Sequence, residues 1–183
     1  MSVNEQTTLL PTSSGINGNT AEAQLLSRRM NQLAAWAFLF VTVRQGIYTY
    51  LQVSIATYSV GIIIAASAVA FSLNWFLMLD ITKKAAHPAT RNRICCCCSM
   101  VTACICIMGL YAIGAAVDAG FEINVATELG SIKDDDNYYD DDDAVAQVDG
   151  LVYGSISMSV LTSLASLIVA VFANMLGNST TAL

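Results

Sequence analysis

A polar stretch over residues 1–27 gives way to four apolar segments, at about 31–53, 57–79, 95–119 and 151–175. Each is long enough for a helix to cross a hydrocarbon core of about 30 Å, which takes roughly 20 residues. The break between the first two is the weakest, because "YLQVSIATYS" contains few strong helix breakers. One helix over 31–79 would run about 73 Å at 1.5 Å per residue, too long for a single crossing. A tight turn is therefore expected near Gln52 to Thr57. The pattern predicts an all-α membrane protein, a four-transmembrane-helix bundle over 28–176. Before it lies a disordered cytosolic arm (1–27), after it a cytosolic tail (177–183), and within it a non-cytosolic acidic loop (120–150).

Composition supports the membrane assignment. Of 183 residues, 55% are hydrophobic and 12% charged, about half the charge of a soluble domain. Residues 1–27 lack the apolar core of a cleavable signal peptide, so the first span is expected to direct insertion. Arg28 and Arg29 precede that span, and Lys83, Lys84, Arg91 and Arg93 fill the segment between the second and third. Basic residues mark the cytoplasmic side, which with four spans leaves both termini in the cytosol. The loop 120–150 then faces outward or into a lumen, with ten acidic residues against the single Lys133. All six cysteines, Cys95–Cys98, Cys104 and Cys106, lie at or within the cytoplasmic half of span three. A disulfide framework is not expected, since the oxidising side has no thiols to pair.

Two charges fall within the spans. Arg44, in "FLFVTVRQGIYTYL", lies about thirteen residues from the cytoplasmic end of span one. An arginine at that depth costs about 2.5–3.5 kcal/mol on insertion scales, so it should face the bundle interior or find a partner. Asp118, in "LYAIGAAVDAG" toward the outer end of span three, is the acidic residue at comparable depth. An Arg44–Asp118 intramembrane ion pair is the expectation. The alternative is that Arg44 snorkels outward among Tyr48, Tyr50 and headgroups, with Asp118 as the first loop residue. Small residues supply candidate packing seams: Gly61-x-x-x-Ala65 and Ala66-x-x-x-Ala70 in span two, and Ser155, Ser159 and Ser163 in span four.

Four spans, a short first outer loop, a longer second one without cysteines, Arg44 in span one and Asp118 in span three together resemble the MARVEL-domain superfamily. That group includes synaptophysin-like vesicle proteins, occludin-type junction proteins and the Casparian-strip membrane proteins of plants. The resemblance covers about 28–176. It implies a non-enzymatic tetraspan protein, and it assigns Arg44 and Asp118 to the paired intramembrane charges of the Casparian-strip branch. A tetraspanin would carry a cysteine-rich second outer loop and a claudin a long first one with paired cysteines, and neither is present. The acidic run "DDDNYYDDDD" belongs to no general pattern of the superfamily.

Other signals bear on use. Cys95, Cys96, Cys97 and Cys98 follow Arg91 and Arg93 at the cytoplasmic membrane edge, the usual context of S-palmitoylation. Read as helical, four consecutive positions point around the whole circumference and cannot converge on one metal ion. Inert packing and a Cys95-x-x-Cys98 redox pair are the alternatives to acylation. The aspartates Asp134, Asp135, Asp136, Asp140, Asp141, Asp142 and Asp143 suit Ca²⁺, a basic partner, sulfation at Tyr138 and Tyr139, or a self-repelling solvated loop. They lack the glycine and closing glutamate of an EF-hand loop. Asn178-Ser179-Thr180 is a formal glycosylation sequon that this topology leaves in the cytosol. Thr181-Ala182-Leu183 has the form a PDZ domain accepts. His87 beside Pro88 reads as a solvated loop residue.

In the arm, "EQTTLLP" resembles the acidic dileucine signal read by clathrin adaptors: Glu5 supplies the charge, Leu9 and Leu10 the apolar anchor. Pro11 favours an extended backbone at Leu10. The function expected is non-enzymatic, without a cofactor, metal or nucleic acid. It is membrane organisation or vesicle sorting along the endosomal or lysosomal route, at vesicle or plasma membrane. The lipid bilayer, a clathrin adaptor, and further copies of the chain or another membrane protein are the expected partners. A second reading is an accessory subunit of a channel, pump or transporter, and a third is a channel or transporter itself. Against the third stand the few polar residues within the spans and no detectable internal repeat.

Overall fold

Good helix formers begin well before the first apolar segment: Ala21-Glu22-Ala23-Gln24-Leu25-Leu26 carry no breaker and high intrinsic propensity. Accordingly α1 runs over Ser14–Ile55, so residues 14–27 of the expected arm are helical. The structure is a computed structural model that describes the backbone of residues 14–55, 60–91, 94–95, 98–133 and 142–181, and the side chains of 21–54, 60–91, 98–127 and 149–178. The turn expected near Gln52 to Thr57 falls later, because helix persists to Ile55. A second rod follows, built from α2 (Val60–Asn74), a π-helical turn (Trp75–Asp80) and α3 (Ile81–Ala86).

That rod stops for a local reason. Proline at position 88 disfavours helical backbone in the preceding residue, and His87 takes φ −83°, ψ 126°. Pro88 then opens the single turn α4 (Pro88–Arg91), a first helical position that proline suits. Next comes a minimal hairpin, Ile94–Cys95 (β1) against Cys98–Ser99 (β2), with Cys95 opposite Cys98 and Ile94 opposite Ser99. Ser99 caps the next helix, its Oγ accepting from the backbone N–H of Thr102 at 3.2 Å. This helix, α5, spans Met100–Lys133, and α6 spans Asp142–Thr181.

Three helical stretches are long and apolar enough to cross a membrane: Val60–Ala86, Met100–Thr127 and Asp149–Asn178. The chain is thus an all-α, multi-pass integral membrane protein. Arg44, Gln45 and the run Tyr48-Thr49-Tyr50 dilute the apolar stretch of α1, which is not among the three. The expected spans recur as helices, but longer at their far ends. Asp118, Glu122 and Glu128, placed at or beyond the end of span three by hydropathy, are all residues of α5. Asp142 and Asp143 open α6.

In the bundle α5 packs along α6, α6 along α1, and α1 along α2. The fourth side closes at one end only, where α3 meets α5. At that end the core is made of small and pliant residues, including Met30, Ala34, Ala37, Met78, Cys104, Met108 and Ala173. Small side chains let helix backbones approach, and methionine fills the irregular gaps between them. The packing is tight at Gly177, where a Cβ would lie 3.1 Å from Val101 Cγ1. Of the expected small-residue seams, Ser155 and Ser159 are buried in the α6 interface. Those of α2 are not buried, since α2 contributes no buried residue. The π-helical turn changes the helix phase, and Met78 becomes fully buried one turn below Asn74.

Candidate functional site: a charged knot and its cleft

Arg44 occurs about two helical turns past the Met30–Ala37 core face of α1, where apolar packing gives way to polar side chains from the neighbouring helices. Its Nη1 lies 3.0 Å from Asp118 Oδ2, and its Nη2 donates to Glu122 Oε1 at 3.1 Å. Asp118 and Glu122 are one turn apart on α5, so both present to the same neighbour. Tyr48, one turn beyond Arg44 on α1, places its ring 5.0 Å under the guanidinium and donates its hydroxyl to Glu122 Oε1. From α6, Ser155 Oγ donates to Glu122 Oε1 at 2.9 Å and Ser159 Oγ to Glu122 Oε2 at 3.3 Å.

The two carboxylates are unequal. Glu122 is the hub: its side chain is 9% exposed, and donors from α1 and α6 reach both of its oxygens. Asp118 is 50% exposed and, among the described residues, pairs with Arg44. Arg44 itself is 21% exposed, and its Nε is buried without a partner. Formally the knot carries one positive and two negative charges.

A chain of neutral hydrogen bonds runs beside it. Tyr111 donates to Asn74 Oδ1 at 2.5 Å, Asn74 Nδ2 to Gln45 Oε1 at 3.5 Å, and Gln45 Nε2 to the Ser67 carbonyl at 2.6 Å. These bonds tie α5, the rod and α1 together at the level where α2 and α5 begin to separate. Above that level an open cleft of about 480 Å³ lies between α2 and α5. Arg44, Tyr48, Asn74, Tyr111 and Asp118 supply its polar lining, while Val41, Ala70, Leu110 and Ala115 supply its apolar walls.

The structure brings Arg44 and Asp118 together, and it adds a residue that hydropathy had assigned to the outer loop. Glu122 lies past the end of the apolar run, so composition alone reads it as loop. The available signal was its spacing of four from Asp118, matched by the Ser155–Ser159 spacing on α6. At the other end, buried Arg91 donates through Nη1 to the Leu176 carbonyl at 3.3 Å. Burial lowers the pKa of its guanidinium, and the bond places a cation near the carbonyl end of α6, where the helix dipole favours it. Lys84 pairs with Asp80 at 2.6 Å. His87 is exposed, and its Nδ1 accepts from the Ala89 N–H.

The cysteine run departs from expectation. Cys95 and Cys98 are partners across the hairpin, so the helical geometry used to argue against convergent ligands does not apply there. Among the described residues, no group of three or more His, Cys, Asp or Glu is placed to hold a metal ion. Glu5, Leu9, Leu10, Cys96, Cys97, Asp134, Asp135, Asp136, Asp140 and Asp141 lie outside the described residues. The same holds for Tyr138, Tyr139, Ala182 and Leu183. Compared with protein-family models, curated proteins and solved structures, the chain matches none.

Proposed function

We propose that the chain is a non-enzymatic four-span membrane protein that organises membrane or sorts vesicles on the endosomal or lysosomal route. One observation carries this reading: the polar groups at mid-bundle answer one another. Glu122 joins α1, α5 and α6 through Arg44, Tyr48, Ser155 and Ser159, as expected of charges that lock a scaffold. The stretch 31–53 of α1 serves as the fourth span in this proposal. Support comes from Met30, Ala34 and Ala37, which share a core with Ala85, Ala86 and Ala173 of two apolar helices, so α1 runs beside them. Both termini are then cytosolic, the MARVEL-like arrangement. In this proposal Cys95–Cys98 take acyl chains, and Glu5, Leu9 and Leu10 bind an adaptor.

The test is localisation of the tagged chain in its own cells. Leu9→Ala/Leu10→Ala should move it from endosomal or lysosomal membrane to the cell surface. An unchanged distribution would remove the sorting assignment. A second reading, an accessory subunit of a larger membrane complex, is favoured by α2, which has no buried residue and exposes Ile62, Ile64, Val69 and Leu73. Mild-detergent purification with a stoichiometric set of large membrane subunits would establish that reading in place of the first.

A further inference from the structure

We propose that the cleft between α2 and α5 is a binding site for the ammonium headgroup of a cationic amphiphile, with Asp118 as its counter-ion. This goes beyond the scaffold reading and does not depend on the sorting route.

The argument begins with charge. Glu122 is saturated by donors from α1 and α6 and neutralises Arg44. Asp118 is then the surplus negative charge. One of its oxygens meets Arg44; its side chain is half exposed into the cleft. Its position is deep, nineteenth in the 28-residue apolar stretch Met100–Thr127. A carboxylate at such depth is costly unless a positive charge accompanies it. Among the described residues none is to spare nearby. Arg28, Arg29, Lys83, Lys84 and Arg91 belong to the opposite end of the bundle, where Ser27 donates to the Ala86 carbonyl and Arg91 to that of Leu176.

Shape selects the kind of cation. At about 480 Å³ the cleft is of ligand size, far larger than a bare ion requires. Tyr48, whose ring already lies under a guanidinium, and Tyr111 add aromatic rings to the lining, and such rings attract a cation. Leu110, which is 70% exposed, continues an apolar wall along the opening. Because α2 and α5 do not close on each other along Val60–Asn74, the opening faces sideways from the bundle, toward the acyl chains of a bilayer. An amphiphile entering that way sets its amine at Asp118 and leaves its tail in lipid. Anionic headgroups are disfavoured by the same surplus charge.

The test is native mass spectrometry of the full chain in a non-ionic detergent, with dodecylamine as probe and dodecanol as its uncharged counterpart. A saturable one-to-one dodecylamine adduct is expected, with dodecanol binding at least about tenfold more weakly, the loss of a charge-assisted hydrogen bond. Asp118→Asn should weaken the amine adduct to a similar degree, whereas Asp80→Asn, which removes a carboxylate outside the cleft, should not. Since Asp118→Asn also touches the knot, Gly114→Leu is the second variant. A Cβ there meets nothing within 4 Å, so the longer side chain fills the cleft and should block the amine with Asp118 intact. Equal binding of amine and alcohol, or amine binding undiminished in both variants, would overturn the proposal. So would a co-purifying membrane helix whose lysine or arginine occupies Asp118.

Discussion

Removing the Glu122 side chain should cost the bundle more than removing that of Asp118, although hydropathy points to Asp118. Glu122→Ala deletes the carboxylate acceptor of four hydrogen bonds, one from the Arg44 guanidinium and three from neutral hydroxyls. Neutral interhelical bonds in membrane proteins average about 0.6 kcal/mol, and a bond to a charged group is worth about 1.5–3. Leaving one member of a buried pair alone costs about 3–5 kcal/mol. Asp118 still meets Arg44 in this variant, so the lower part of that range applies, about 3 kcal/mol. Asp118→Ala removes one contact from a half-exposed side chain and should cost about 1 kcal/mol or less.

The assay is reversible unfolding of the purified chain by SDS in mixed micelles, followed by far-ultraviolet circular dichroism. It includes the Arg44→Ala/Glu122→Ala double variant. If the penalty of each single variant comes mainly from the stranded charge, the double should be no less stable than Arg44→Ala alone. The coupling energy should exceed about 1 kcal/mol, while the Arg44–Asp118 cycle gives less. An Asp118→Ala loss equal to or greater than that of Glu122→Ala would refute the hub assignment. Strictly additive losses at 44 and 122 would refute the pairing.

Smaller effects follow elsewhere. Tyr111→Phe deletes the bond to Asn74 and should cost about 0.6 kcal/mol, at most about 1.7, in the same SDS titration. Gly177→Val should cost about 1–3 kcal/mol by forcing α6 off Val101, whereas Gly114→Ala, facing open space, should be close to neutral; thermal melting in detergent compares the two. Arg91→Ala loses a charge-assisted bond to Leu176 and should cost about 1.5–3 kcal/mol, Arg91→Lys recovering only part of it. Buried Cys104 should stay unmodified by a lipid-soluble maleimide in the folded protein while exposed Cys106 reacts, and equal labelling by mass spectrometry would contradict the packing of α5.

What the sequence made legible, and what it hid, divides along a physical line. Apolar runs report which segments leave water, so the helices near 57–79, 95–119 and 151–175 could be read directly. Hydropathy says nothing of where a helix ends once its residues turn polar, and α5 carries Glu122 past the expected end of span three at 119. Arg44 and Asp118 were legible because a charge in an apolar run is costly wherever it lies. Glu122 was not, because its burial depends on Tyr48, Ser155 and Ser159 arriving from two other helices. The hairpin at Cys95 and Cys98 was hidden for a different reason: Ser99 is a good helix cap, and a cap inside an apolar run starts the helix later than composition suggests.

The π-helical turn connects the two ends of the molecule. Above it α2 buries nothing, and its polar groups Ser67 and Asn74 serve the hydrogen-bond chain to Gln45 and Tyr111. Within it Met78, and below it Thr82, Ala85 and Ala86, are buried, where the rod meets α1 and α5. An uninterrupted α-helix advances 100° per residue and would carry the face of Asn74 onto Met78 and Ala85 with little rotation. The wider turn shifts that register, so one rod packs fully at the end holding Arg91 and stands away from α5 at the end holding Asp118. The closed end keeps the bundle together, and the knot holds α1, α5 and α6 where α2 no longer reaches α5. The cleft is therefore a consequence of how the rod is wound: the π-helical turn holds one residue more than an α-helical turn, so deleting one residue within Trp75–Asp80 should restore regular α-helix and leave Asn74 facing Tyr111 and Gln45.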